Sequence, residues 1–331
     1  MDSNRTIRVG TRGSALAVTQ TGWVVDRMRG LGLTVEVETI TTRGDSGHEG
    51  PIFRPGQAGG DGVFVRELEQ ALLDGRIDAA VHSLKDLPTA ETPGLDLACV
   101  PERALPFDVL VGRTAATLAG LPAGAVVGTS SIRRVVQVKS LRSDLVVRPV
   151  RGNVDTRLRR LDEGDYDALI LAGAGLERLG RGGRISEVLR PDAFWPAVAQ
   201  GALVVQIRSD DAPLRNRIST LDHPPSHAAV RAERACLAAL AGGCLAPIGG
   251  WARTDASGAL TLGGCVMEFV PDDAGGMIHR LIAEHTAGDH AAGVSKPETP
   301  ESLGERVAAA LLKQGAAEML ARVRSRDASP A

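Results

Sequence analysis

Two stretches of the 331-residue chain carry residue types suited to gripping a multiply charged anion. GTSSIRR (128–134) sets a glycine and three hydroxyl residues, Thr129, Ser130 and Ser131, where a strand gives way to a helix. Free backbone N–H groups and the helix dipole favour an anion at such a point, and Arg133 and Arg134 come directly after. By itself the heptapeptide reads as an ordinary helix cap leading into a solvated face. Its surroundings shift that reading. Residues 133–160 hold nine basic side chains against Asp144 and Asp155, a local excess of seven positive charges, and no Phe, Trp or Tyr. RGNVDTR (151–157) starts where a strand should end, so Arg151 and Arg157 could reach the crevice in which open α/β sheets bind ligands, whereas Arg159 and Arg160 are expected in solvent. Single-stranded nucleic acid calls for aromatic platforms, and the whole chain has nine aromatic residues, so a small polyanion fits better than RNA.

Three other segments bear on chemistry. In AVHSLKDLP (80–88) a strand runs into Lys85 and Asp86, a cation beside a carboxylate that could stabilise a cationic intermediate; the plain alternative is a surface ion pair closing the strand. His82 reads as structural. Cys244 lies in AGGCLAPIGG, where paired glycines on both sides leave the thiol on an irregular loop, while Cys99, Cys236 and Cys265 sit in apolar stretches and should fill core. The four cysteines form no CxxC pair and have no histidine at ligand spacing, so no metal site is expected. DALILAGAGLERLG (167–180) invites a dinucleotide-binding reading, but Arg178 stands at the sixth motif position, so a strand-to-helix turn with Arg178 near a helix start is expected instead.

These residues must be held by an alternation of short strands and helices, the pattern of an α/β fold with mostly parallel sheets. Strands are expected at 6–10, 34–41, 79–82, 108–112, 126–128, 145–149, 168–172 and 202–208, and helices at 15–29, 64–74, 131–142 and 154–163. The pattern loosens after Pro88 and restarts at 108, which places a domain crossing near 100–107. DHPPS (222–226) reads as a turn-rich linker to a third unit with a helix at 227–240, strands near 250–254 and 260–266, a final helix at 303–320 and a disordered tail from 325. The domain division expected is 1–103 with 202–220, then 107–197, then 224–331. No internal repeat of fixed period is visible.

Length and composition narrow the class. At roughly 150 residues per domain the chain makes two or three, enough to bury a real core, and 43% apolar with 24% charged residues is ordinary globular usage. A formal net charge of −2 draws the protein to neither nucleic acid nor an anionic membrane, so anion binding must be local. Of the basic residues four are lysine and 34 arginine, the side chain whose planar fork grips carboxylates and phosphates. No apolar run approaches the ~20 residues of a membrane span. The opening MDSNRTIRVGTR has neither a basic leader nor an apolar core, so a cytoplasmic protein with reduced thiols is expected.

Nine segments in order carry a resemblance to a known family: TRGSALA (11–17), TTRGD (41–45), GVFVRELEQALL (62–73), AVHSLKDLP, GTSSIRR, RGNVDTRL (151–158), LAGAGLERLG (171–180), PAVAQGAL (196–203) and GGCLAPIG (242–249). Along nearly its whole length the chain resembles the porphobilinogen deaminases, also called hydroxymethylbilane synthases. The resemblance implies three domains: two α/β domains like the lobes of type II periplasmic binding proteins, and a small C-terminal α/β domain. It implies an enzyme, a transferase of tetrapyrrole biosynthesis, that joins four porphobilinogens head to tail with loss of ammonia and releases hydroxymethylbilane. The primer is a dipyrromethane cofactor, linked as a thioether to the cysteine that matches Cys244.

Carried over residue by residue, the resemblance makes Asp86 the catalytic carboxylate, assisting ammonia loss and holding pyrrole N–H groups through a cationic azafulvene-like stage. Arg12, Ser14, Arg133, Arg134, Arg151, Arg157 and Arg178 would bind cofactor and substrate carboxylates, helped by Lys85, Thr129 and Ser131, with Gln200 and Gly201 alongside. A growing chain of acetate- and propionate-bearing pyrroles is a flexible polyanion that needs Arg forks and no stacking, which the local charge excess answers. The partner implied is porphobilinogen alone, with no nucleic acid and no membrane, acting on a monomer. The family usually has Gly where Ala199 stands, an Asp-Pro-Arg-Asp run where Leu105-Pro106-Phe107-Asp108 stands, and Lys where Asp61 stands. Two alternatives remain beside the active deaminase: a diverged paralogue that loads cofactor yet elongates poorly, and a non-catalytic small-anion binding module on the same scaffold.

Overall fold

A computed structural model describes residues 5–40, 65–241, 246–270, 276–288 and 298–327. In chain order the elements are β1 (Ile7–Thr11), α1 (Ala15–Gly30), β2 (Val35–Thr39), α2 (Arg66–Leu73), β3 (Ala79–Ser83), β4 (Leu95–Cys99), β5 (Asp108–Gly112), β6 (Val126–Gly128), α3 (Ile132–Leu141), β7 (Val146–Arg148), α4 (Val154–Asp162), β8 (Ala168–Ala172), α5 (Gly173–Arg178), β9 (Glu187–Leu189), β10 (Leu203–Arg208) and α6 (Ala212–Ile218). The remaining elements are α7 (Pro224–Ala239), β11 (Ile248–Thr254), β12 (Leu260–Val270), β13 (Met277–Thr286), α8 (Pro300–Lys313) and α9 (Ala316–Asp327). They form two compact units, Met1–Ala104 with Ala202–His227, and Leu105–Gly201 with Ala228–Ala331.

The first unit is built on a five-stranded sheet in the order β2-β1-β3-β10-β4. β1 pairs in parallel with β2 and β3, while β10 runs antiparallel to β3 and β4. One reversed strand among four parallel ones leaves room for helices on both faces, and both are covered. Val9, Val24, Met28, Ala79 and Val205 bury one face; Leu68, Leu72, Ile77, Ala80 and Leu95 bury the other. Buried Asp78 ties three strands together, accepting from the backbone N–H and Nε of Arg8 at 2.9 and 3.0 Å and from Arg208 at 3.1 Å. Burial alone would raise its pKa, but the bonds from Arg8 and its neighbours outweigh that and hold the carboxyl well below the usual carboxylate range.

The second unit contains a sheet of matching order, β7-β6-β8-β5-β9, again with one strand, β5, antiparallel to both neighbours. The sequence shows no repeat, yet the two sheets share one topology in which a single strand is reversed beside the strand nearest the sheet centre. The unit also holds a separate C-terminal domain: the antiparallel sheet β11-β12-β13, with Cys236, Leu262, Val266, Leu303, Val307 and Leu311 in its core. Gly304 is required where α8 meets α7, since a Cβ there would run into the carbonyl oxygen of Ala232. The two-domain α/β architecture with a small third domain that the resemblance implies is therefore present.

The structure corrects several expectations. The final helix is two, α8 and α9, parted at Gly315 with φ +98°, a left-handed turn that glycine adopts without a Cβ penalty. α7 begins at Pro224 inside the presumed linker, because proline is tolerated in the first turn of a helix. α9 runs on through Asp327, past the point where disorder is expected. β4, β9, β13 and α6 stand where the sequence pattern gives no clear element. β13 is a half-exposed edge strand with His279, Arg280, Glu284 and His285 among its residues, so its polarity hides the strand in the sequence.

Candidate active site

In the first unit, β1 and β3 are adjacent parallel strands, so their C-terminal ends, and the residues just beyond them, lie at one edge of the sheet. Arg12 comes directly after β1, and Ser14 caps α1 by accepting from the N–H of Ala17 at 3.3 Å. Lys85 and Asp86 come after β3 on a single 3₁₀ turn, Leu84–Asp86, and Asp86 is exposed. The turn is anchored by Leu84, whose N–H donates to the carbonyl of Ala202 at 3.0 Å. His82 is buried in β3, and burial, with a smaller push from Arg12 against a raising contact from Gln206, lowers its pKa to about 4. The ring is neutral at pH 7 and belongs to the scaffold.

In the second unit the parallel strands β6, β7 and β8 end at one edge, and β5, running the other way, starts there. Thr129, buried, accepts from the N–H of Ser131 at 3.3 Å; Ser131 occupies the cap position of α3 but its hydroxyl does not cap the helix. Arg133 and Arg134 are buried side by side on Asp108. Arg133 Nη1 donates to Oδ2 at 2.7 Å and also to the carbonyl of Trp195; Arg134 Nη2 and Nε donate to Oδ1 at 2.7 and 3.0 Å, and its Nη1 to the carbonyl of Ile170 at 2.9 Å. Gln200, fully buried, adds its Nε2 to Asp108 Oδ1 at 3.1 Å and to the carbonyl of Pro106 at 2.9 Å. Its amide therefore supports the arginines from within.

Two further arginines form no ion pair among the described residues. Arg157 donates Nε to the carbonyl of Gly152 at 2.8 Å, and burial together with the charge of Arg134 lowers its pKa. Arg178 donates Nη2 to the carbonyl of Gly201 at 2.7 Å, and burial, only partly opposed by Glu177, lowers its pKa to about 10. By contrast, Arg133 and Arg134 each form an ion pair, both with Asp108. Arg178 closes α5 and does not open it, correcting its expected place at a helix start. Arg151 is exposed. The rest of the charge excess disperses: Arg142 pairs with Asp144, Arg159 with Glu163 and Arg160 with Asp165 on the surface. Of the nine basic residues, Arg133, Arg134 and Arg157 form the cluster.

A group of desolvated and partly desolvated arginines suits a ligand bearing several carboxylates. A dipyrromethane with its acetate and propionate arms fits that donor set. The sequence comparisons then decide the family. The profile described as porphobilinogen deaminase, dipyromethane cofactor binding domain, matches residues 7–216, and that for the porphobilinogen deaminase C-terminal domain matches residues 227–313. The chain belongs to the porphobilinogen deaminase family. A porphobilinogen deaminase of Thermus thermophilus is 46% identical over 97% of this chain and 100% of its own, and one of Mycolicibacterium paratuberculosis 44% over 96% and 98%. Among solved structures, a periplasmic substrate-binding protein from Coxiella burnetii shows a weak likeness, at 15% identity and TM-score 0.41 over 67% of this chain and 94% of that one.

Against the usual porphobilinogen deaminase pattern, two departures have a physical account. Phe107 meets Trp251 of β11 edge to face with ring centroids 5.2 Å apart, and Leu105 covers Gly173, where a Cβ would run into its Cδ2. Ala199 keeps the left-handed conformation that glycine would favour, with φ 58°, and its N–H donates to Oε2 of buried Glu233 at 2.6 Å. Cys244 and Asp61 lie outside the described residues. The thiols of Cys99, Cys236 and Cys265 are buried and pushed up to about 12 by that burial, so none of the three is a ready nucleophile. No group of three His, Cys, Asp or Glu among the described residues could hold a metal, and no helix among them is long and apolar enough to cross a membrane. Reading the sequence alone aligned Asp108 with a family run but gave it no part in the site, and it missed Gln137, whose Nε2 donates to the carbonyl of Trp195 at 3.0 Å. The one signal for Asp108 is an acid opening the apolar run FDVLVG, which a buried strand tolerates only when the charge is paired.

Proposed function

We propose that this chain is an active porphobilinogen deaminase: a cytoplasmic, monomeric transferase that condenses four porphobilinogens head to tail with loss of ammonia and releases hydroxymethylbilane. The observation that carries this reading is that Arg157 and Arg178, both half-buried, form no ion pair among the described residues and donate instead to the carbonyls of Gly152 and Gly201, in a chain whose residues 7–216 match the family's cofactor-binding profile. The dipyrromethane, thioether-linked to Cys244, supplies the terminal pyrrole on which the product grows.

The chain's own residues do the rest. Arg12 and Ser14, with Lys85, and Arg133, Arg134, Arg151, Arg157 and Arg178, with Thr129 and Ser131, bind the carboxylate arms; Gln200 and Gly201 hold Asp108 and Arg178 in place. Charge-assisted Arg forks suit this work because each arm must be gripped and later released as the product lengthens. Asp86, exposed at the end of its turn, accepts pyrrole N–H hydrogen bonds through its carboxylate oxygens. It also balances the positive charge that develops on the substrate methylene carbon as ammonia leaves, an electrostatic contribution of the kind worth about 10²–10³ in rate.

The test is the intact denatured mass of the purified protein, with peptide mapping and an assay with porphobilinogen. One dipyrromethane on Cys244 with release of hydroxymethylbilane is expected. Loading without turnover points to the diverged paralogue. A mass that stays unmodified after incubation with porphobilinogen or hydroxymethylbilane rejects the reading in favour of an anion-binding module.

A further inference from the structure

We infer that Asp108 is a positioning residue: it turns the adjacent guanidinium groups of Arg133 and Arg134 to one place and so sets the geometry in which ligand carboxylates are gripped. This rests on the functional reading above. Consecutive helix residues diverge by about 100°, so two neighbouring arginines on α3 do not share a target unless something draws them together. Asp108 does so with both oxygens: Oδ2 accepts from Arg133 at 2.7 Å, and Oδ1 from Arg134 at 2.7 and 3.0 Å and from Gln200 at 3.1 Å. It can stand there because β5 runs against β8, with Asp108 opposite Ala172, so the start of β5 meets the edge where β6 and β8 end.

Sharing distinguishes this arrangement from an ordinary buried ion pair. One carboxylate is held by two guanidinium groups, beside Arg157, whose pKa is lowered by burial and then by the charge of Arg134. A purely structural bridge gains nothing from a second buried cation; a seat for a carboxylate does. Asp108 itself is fully buried and negative, so it acts through the arginines and not on the ligand. Asp108, with the carbonyls of Trp195 and Ile170, thus fixes the planes in which both guanidinium groups lie.

Asp108→Asn and Asp108→Glu test this in the full-length protein, each read by circular dichroism, denatured mass, steady-state kinetics with porphobilinogen, and phenylglyoxal labelling mapped to Arg133 and Arg134. Asp108→Glu keeps the charge and moves the carboxylate by one methylene, so it carries the test even where Asp108→Asn fails to fold. The expected result is a folded Asp108→Glu whose KM rises tenfold or more while kcat changes by less than threefold, and a folded Asp108→Asn that loads less than a tenth of the wild-type dipyrromethane, on the scale of a lost charge-assisted contact. Labelling of the two arginines should quicken severalfold in either variant. Folded variants with wild-type loading, KM and labelling overturn the positioning role. A wild-type protein that neither loads nor turns over, with labelling still quickened in the variants, sinks the functional reading and leaves the arginine geometry standing.

Discussion

Arg178 and Gly201 are joined by a single hydrogen bond of 2.7 Å from Nη2 to the carbonyl oxygen, and among the described residues this is the one hydrogen bond of a half-buried cation whose pKa falls to about 10. A guanidinium whose folded pKa lies below its unfolded value opposes folding while charged, and that penalty lifts only as pH rises past about 10. Arg178→Met should therefore raise the stability of cofactor-free protein by about 1–3 kcal/mol while lowering dipyrromethane loading at least severalfold. Thermal melts of the apo form beside denatured masses check both signs; a less stable and fully loaded variant contradicts the assignment.

Asp86 gives the opposite balance. It is exposed and makes no side-chain hydrogen bond or ion pair among the described residues, so Asp86→Asn should shift stability by less than about 0.5 kcal/mol. Turnover should fall by about 10²–10³ with the cofactor still loaded. Activity within about tenfold of wild type, measured on protein of unchanged melting temperature, removes the catalytic role.

His82 predicts a pH dependence. Its folded pKa of about 4 lies below the unfolded value, so the unfolded chain takes up the proton first and stability drains away as pH falls from about 6.5 to 4. The loss should reach about 2–3 kcal/mol, and Asp78 adds its own only at more acid pH, below the ordinary carboxylate range. His82→Gln should flatten the stability profile between about pH 6.5 and 4 in chemical denaturation series; an unchanged slope there shows that another group titrates.

Glu233 holds two buried backbone donors, accepting from Ala199 at 2.6 Å and from Ala252 at 2.8 Å. Glu233→Ala strands both, at about 1–3 kcal/mol each, so a loss of about 2–6 kcal/mol is expected in denaturant unfolding. Ala199→Val should also destabilise, because a β-branched residue does not accommodate φ 58°. A Glu233→Ala protein as stable as wild type shows that water replaces the carboxylate.

Much of the candidate site was legible because its residues come directly after strands whose apolar character is plain. AVHS before Lys85 and Asp86, and ALILA before the helix that ends in Arg178, announce both the strand and the edge at which the next side chains emerge. The polar edge strand β13 escaped because half of it faces water, so no apolar run marks it. The charge excess over 133–160 overstates the cluster for the same local reason. Arg157 lies beside Arg134, while Arg159 and Arg160, within a turn of it and expected in solvent, pair on the surface with Glu163 and Asp165.

Composition, periodicity and ordered motifs by themselves determined the α/β class, most elements, the family and the polyanionic kind of ligand, since these depend on local preference and residue type. Which arginines are desolvated, and what holds them, only the tertiary structure decided. Asp108 is distant in sequence from Arg133 and Arg134, and it reaches them because β5 enters the sheet against its neighbours. Burial and counter-charge are properties of what surrounds a group in space, and a one-dimensional pattern does not carry them.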